Sequence, residues 1–211
     1  MNKIRIFLDM DGTLFKWNDV PYYERLYEKG YFENLEPHRN VVEAIRYLIL
    51  NADSQIEFYT LSKYLSDSPY ALNEKNRSLD KYLPEIERNH RIFVPMNDSK
   101  SDYIPDGIHI SDLILDDYTP NLNEWRDAGG TGVKLINGIN DTHRSWSGLR
   151  IDAGLDPILF SYQLKYYAVS SLSLENRGIS GRIEQMRRNN EMKQAESREI
   201  YRTINLEKGG R

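Results

Sequence analysis

Lys3-Ile4-Arg5-Ile6-Phe7-Leu8-Asp9-Met10-Asp11-Gly12-Thr13 is an apolar, β-branched run that stops on two carboxylates and a glycine. Lys3 to Leu8 reads as a buried strand. Residues two apart on a continuing strand share a face, so Asp9 and Asp11 fall side by side, and Gly12 lets the chain leave in a tight turn. A carboxylate that attacks phosphorus must be ionised, rigidly held and shielded by a cation. A second carboxyl two residues on can then protonate the leaving oxygen and later activate water. An ordinary turn after an edge strand carries the same letters, so the rest of the chain must decide.

Four further segments read as short buried strands: Ile56 to Tyr59, Arg91 to Pro95, Leu113 to Leu115 and Gly132 to Ile136. Helical spacing joins them. Val41, Ala44, Ile45, Leu48 and Ile49 form one apolar stripe. A second helix spans roughly Tyr70 to Tyr82 and stops near Pro84. A third is announced by Thr119-Pro120, a capping residue before a proline at the first helical position, and ends at Gly129-Gly130. Strands alternating with helices imply a mostly parallel sheet covered on both faces, with ligands at the carboxyl ends of the strands. Chemistry-bearing residues fall where that rule puts them. Asp9 and Asp11 follow the first strand, Thr60 the second, Lys100 the third after a loop, and Asp116-Asp117 close the fourth.

Adjacent carboxylates such as Asp116-Asp117 repel each other, and a hard divalent cation held through oxygen removes that cost. Magnesium suits a few carboxylates, a backbone carbonyl, waters and a substrate phosphate. Two other lysines compete with Lys100 for the cationic role: Lys63 sits too close to Thr60 in the expected loop, and Lys75 lies inside a helix.

The 211 residues suffice for one α/β domain with a modest insertion. A net charge of −4 argues against a surface built for polymeric nucleic acid. The absence of cysteine excludes disulfides, thiolate zinc sites and cysteine nucleophiles. No glycine-rich phosphate loop or nucleophilic-serine elbow appears, and His38, His90, His109 and His143 lack the close pairing of a zinc site. The first apolar run is too short for a signal peptide, and no later one is long enough for a bilayer, so a cytoplasmic chain without membrane contact is expected. Residues 1–150 are expected to form the catalytic domain, with an aromatic-rich helical cap at about residues 15–40. Residues 151–211 form a charged helical extension, solvated or partly disordered from about Ser171.

Asp9-Met10-Asp11-Gly12-Thr13 resembles the first motif of the haloacid dehalogenase (HAD) superfamily, and the later strand ends resemble its remaining motifs in order. The resemblance implies an α/β, Rossmann-like fold with a central, mostly parallel sheet flanked by helices and a small cap inserted after the first strand. It casts Asp9 as the residue that becomes phosphorylated and Asp11 as general acid and base. Thr60 and Lys100 would bind the phosphoryl group. Mg2+ would be held by Asp9, the Asp11 carbonyl and Asp117, with Asp116 a ligand or its neighbour. Gly30 to Pro37, Val41 to Ala44, Glu74-Lys75 and Leu115-Asp116-Asp117 are further similar to the deoxyribonucleotidase branch, the small 5'-nucleotidases. That likeness implies a nucleoside monophosphate substrate, its base held by aromatic cap residues among which Trp17 and Phe32 are candidates. Leu61, after Thr60, departs from that branch, which commonly has a polar residue there. A sugar phosphate or another small monoester is the alternative, and a non-catalytic binding protein on the same fold ranks last. Homo-oligomerisation is left open.

Overall fold

In the computed structural model, the residues described are 3–51, 55–140 and 146–176, the last four by backbone alone. Contacts divide the chain into two units, Met1–Leu172 and Ser173–Arg211. The charged stretch expected to be solvated or partly disordered from about Ser171 lies almost wholly outside the described residues.

The chain runs β1 (Ile4–Leu8), α1 (Arg39–Asn51), β2 (Ile56–Tyr64), α2 (Ala71–Tyr82), β3 (Arg91–Pro95), β4 (Leu113–Asp116), α3 (Thr119–Asp127), β5 (Thr131–Ile136), β6 (Leu149–Asp152) and α4 (Pro157–Asn176). Six strands form one sheet in the order β3-β2-β1-β4-β5-β6, and every neighbouring pair is parallel. β1 therefore lies at the switch point, with β2 on one side and β4 on the other.

Alternate residues of β1 point into different cores. Ile4, Ile6 and Leu8 join a cluster with Val41, Ala44, Ile45 and Leu48 of α1, Leu79 of α2 and Phe160 and Leu164 of α4. Phe7 joins Leu122 and Trp125 of α3 on the other face. Because both faces are covered, the strands read as continuous apolar runs.

Three expectations need correction. β2 does not end at Tyr59: it continues to Tyr64, and Thr60 is where it changes partner, the last residue opposite β1 (Leu8) and the first opposite β3 (Arg91). Polar letters looked like a strand end, but Thr60 and Ser62 are buried. Lys63 accordingly lies in a strand, not a loop. The cap at residues 15–40 is helical only as a 3-10 turn at Tyr23–Tyr27 before α1 begins; bends, turns and a bridge from Phe15 to Pro37 make up much of the rest. Thr119 is not the capping residue but the first residue of α3. The N-cap of α3 is Tyr118, and the Thr119 hydroxyl accepts from Lys134 Nζ at 2.9 Å.

β6 has no counterpart among the strands expected from sequence. It spans residues 149–152, across the 150/151 boundary drawn there, and only Ile151 in it is buried. Among the described residues no helix is long and apolar enough to cross a membrane.

Candidate active site

β1 delivers Asp9 directly past Leu8, and the Asp9 amide donates to the Leu115 carbonyl of β4 at 3.0 Å, which places the first carboxylate beside Asp116-Asp117. The chain then turns at Gly12, whose φ is +82°. A side chain there would meet Asp117: a Cβ would lie 2.5 Å from Asp117 Oδ2. Glycine is required both for the backbone conformation and for the approach of this carboxylate.

Lys100 sits in a 3-10 turn after β3 and is fully buried. Its Nζ donates to Asp9 Oδ1 at 2.6 Å and to Asp116 Oδ2 at 2.7 Å. Burial works against its charge, but Asp116 and Asp9 together raise its pKa, so it stays an ammonium. Burial also pushes the Asp9 carboxyl up; Lys100 opposes this, while Asp116, Asp11 and Asp117 add to it. Asp117 is pushed up to about 6, first by burial and then by Asp116, against hydrogen bonds from Asn137 and Asn140.

The adjacent acids have different surroundings. Asp116 Oδ1 accepts from the Tyr118 amide at 2.7 Å, and Oδ2 accepts from Asn121 Nδ2 at 2.9 Å as well as from Lys100. Asp117 Oδ2 accepts from Asn137 at 3.0 Å and Asn140 at 2.7 Å, whereas Oδ1 has one long contact from the Thr13 hydroxyl, at 3.3 Å. Asn137 also donates to the Gly12 carbonyl at 2.7 Å, tying the turn after β1 to the loop after β5.

Sequence reasoning passed over Asn137 and Asn140, which belong to no motif it used; their position just past β5 was the available signal. It also set Lys75 aside as a helix residue. α2 turns that side chain inward, where Nζ donates to Asp11 Oδ2 at 2.5 Å and to Ser62 Oγ at 3.1 Å. Thr60 is fully buried, and its hydroxyl has no hydrogen-bond partner among the described residues. Such a group is costly unless something satisfies it.

One oxygen from each of Asp9, Asp116 and Asp117 lies within 4.8 Å of the other two. Counting Asp11, four carboxylates meet the ammonium groups of Lys100 and Lys75, with the buried Lys134 ammonium on the Asp117 carbonyl behind them, so negative charge remains in excess. An all-oxygen donor set with that excess fits a hard divalent cation such as magnesium. The cap aromatics are arranged less openly. Trp17 is half-buried and meets Tyr31 edge-on, with centroids 6.0 Å apart. Phe32 is buried, edge-on to Tyr31 at 5.0 Å, with the Lys75 ammonium 4.7 Å from its ring centroid. A cavity of about 790 Å³ lies between the cap, α1 and the α2 end, lined by residues including Lys16, His38, Arg39 and Lys81 but by none of the four acids.

No family model matches the sequence, and no curated protein matches it. Solved structures do. D,D-heptose 1,7-bisphosphate phosphatase from B. bronchiseptica, complexed with magnesium and phosphate, is 15% identical, with 79% of this chain and 99% of that chain covered and a TM-score of 0.54. The enzyme of the same name from Burkholderia thailandensis is 12% identical, covering 78% and 98%, with a TM-score of 0.50. Sheet order, flanking helices and this likeness define an α/β fold, a six-stranded parallel sheet covered by helices, shared with these two structures.

Proposed function

We propose that the chain is a magnesium-dependent phosphomonoester hydrolase working through an aspartyl-phosphate on Asp9. The observation that carries this reading is the buried cluster of Asp9, Asp116 and Asp117 at the switch point of the sheet, with Lys100 Nζ bridging the first two. Asp9 forms a bond to phosphorus as the phosphorus–oxygen bond to the leaving alcohol breaks, and the leaving oxygen takes its proton from Asp11. Asp11 then accepts a proton from water, whose oxygen attacks phosphorus. The acyl-phosphate bond breaks, inorganic phosphate leaves and the Asp9 carboxylate is restored. Lys100 balances the charge of Asp9 throughout, and the unpartnered Thr60 hydroxyl is the donor assigned to a phosphoryl oxygen. Asp9, the Asp11 carbonyl and Asp117 would hold Mg2+, which supplies charge neutralisation for the transferring phosphoryl group. Asp116 has both oxygens engaged by N–H donors and positions Lys100.

The substrate class is a small phosphate monoester. A sugar phosphate is supported by the two similar structures, both phosphatases of a sugar bisphosphate, and by the Phe32 ring, which is buried beneath the Lys75 ammonium rather than open to a base. A nucleoside monophosphate is the second reading, favoured by the half-buried Trp17 on the cap. Phosphate release from a panel of sugar phosphates and nucleoside monophosphates, with Mg2+ and with a chelator, tests both. Release must need the metal. Preference for nucleotides that vanishes on Trp17→Ala would overturn the sugar-phosphate reading, and no release from any monoester would overturn both.

A further inference from the structure

Lys75 is one of the largest fully buried side chains of the protein, and it is charged. An ammonium removed from water is costly unless its protons are matched, and here three groups surround it. Asp11 Oδ2 lies at 2.5 Å, Ser62 Oγ at 3.1 Å, and the centre of the Phe32 ring at 4.7 Å. These come from three places in the chain: the turn after β1, the end of β2 and the cap. The preceding residue completes the arrangement. The Glu74 carboxylate, also fully buried, accepts from the amides of Gly30 at 2.5 Å and Phe32 at 3.1 Å, which fixes the cap backbone on α2. Asp11 is the least enclosed of the four site acids, with 19% of its side chain exposed, and Lys75 is the only side chain bonded to it among the described residues.

We infer that Lys75 is a positioning residue for the proton-transfer step: its ammonium, anchored on Ser62 and packed over the Phe32 ring, holds one oxygen of Asp11 and so aims the other at the leaving group. The inference rests on the phosphatase reading and deepens it. Lys75 acts through Asp11, so its contribution scales with how much the leaving oxygen needs a proton. An aryl phosphate with a good leaving group departs without that proton, whereas one with a poor leaving group depends on it.

The test is kcat/KM with Mg2+ across p-nitrophenyl, phenyl and p-methoxyphenyl phosphate, for the wild type, Lys75→Met and Ser62→Ala. Methionine keeps the length and apolar stem of lysine without its charge. Well-placed proton transfer contributes on the order of 10²–10⁴-fold. Lys75→Met is therefore expected to lose roughly tenfold or more on the poorest leaving group relative to p-nitrophenyl phosphate, with a steeper dependence on leaving-group basicity than the wild type. Ser62→Ala, which leaves the ion pair but removes its second anchor, is expected to steepen the dependence in the same direction and by less; it decides the matter if Lys75→Met does not fold. Equal losses on all three substrates, or no loss, would show a structural role and overturn the inference while leaving the phosphatase reading intact. A wild-type chain inactive on the whole series would instead overturn the phosphatase reading, and the inference with it.

Discussion

Gly12 and Asp117 meet at the narrowest contact of the site, where an added methyl group would lie 2.5 Å from a carboxylate oxygen on a backbone already at φ +82°. Gly12→Ala is expected to cost about 1–3 kcal/mol of backbone strain, and to push Asp117 away from Asn137 and Asn140. Denaturant unfolding and Mg2+ titration should both register it; an unchanged midpoint with unchanged metal affinity would contradict the assigned geometry. His38, on the other side of the turn, is held below its usual 6.5, first by burial and then by Lys16, against the backbone of Gly12. The sign follows. A depressed folded-state pKa means that the unfolded chain takes up the proton first, so this stabilisation is present above pH 6.5 and is lost as pH falls through the folded value. Between about pH 7.5 and pH 5 the wild type should therefore lose more stability than His38→Gln, measured by denaturant midpoints; parallel curves would refute the burial of His38 as a neutral ring. The paired acids were legible from sequence because each strand end shows as an apolar run closed by polar letters. Lys75 was not, since its role depends on which face of a helix turns inward, and Asn137 and Asn140 are amides with no charge to mark them.

α2 acts as the clamp between the sheet and the cap. Glu74 meets the amides of Gly30 and Phe32 inside the protein, and Arg77, one turn on, pairs with Glu33 at the surface. Glu74→Gln turns an amide donor toward one of those N–H groups and leaves it unsatisfied, at about 1–3 kcal/mol. Faster hydrogen exchange at the Gly30 and Phe32 amides should accompany it. Exchange unchanged at both would show that the cap is held by its apolar contacts through Leu26, Phe32 and Leu35 alone. Elements differed in how far the sequence exposed them. α1 shows as a stripe because Val41, Val42, Ala44, Ile45 and Leu48 all face one cluster. β2 was read five residues short because its end is polar and buried, with Ser62 matched by Lys75. β6 was missed because a four-residue edge strand with one buried side chain leaves almost no pattern.

Across the whole molecule, a parallel sheet with β1 at its switch point brings residues from distant parts of the chain to one edge. Asp9, Asp11, Lys100, Asp116 and Asp117 converge there as the alternation of strands and helices implies, and α2 and the loop after β5 add Lys75, Asn137 and Asn140. The fold class follows from alternation and strand ends, but the substrate does not, because the cap aromatics pack on one another as much as on any open space. The central claim is that Asp9 takes the phosphoryl group. Mixing the protein with Mg2+ and excess p-nitrophenyl phosphate, quenching in acid within the first turnovers and mapping the peptides by mass spectrometry tests it directly. The account predicts one phosphoryl group on the peptide carrying Asp9, absent without Mg2+ and absent in a folded, inactive Asp9→Asn variant. A phosphoryl group on another residue, or an Asp9→Asn protein that still turns over, would contradict it.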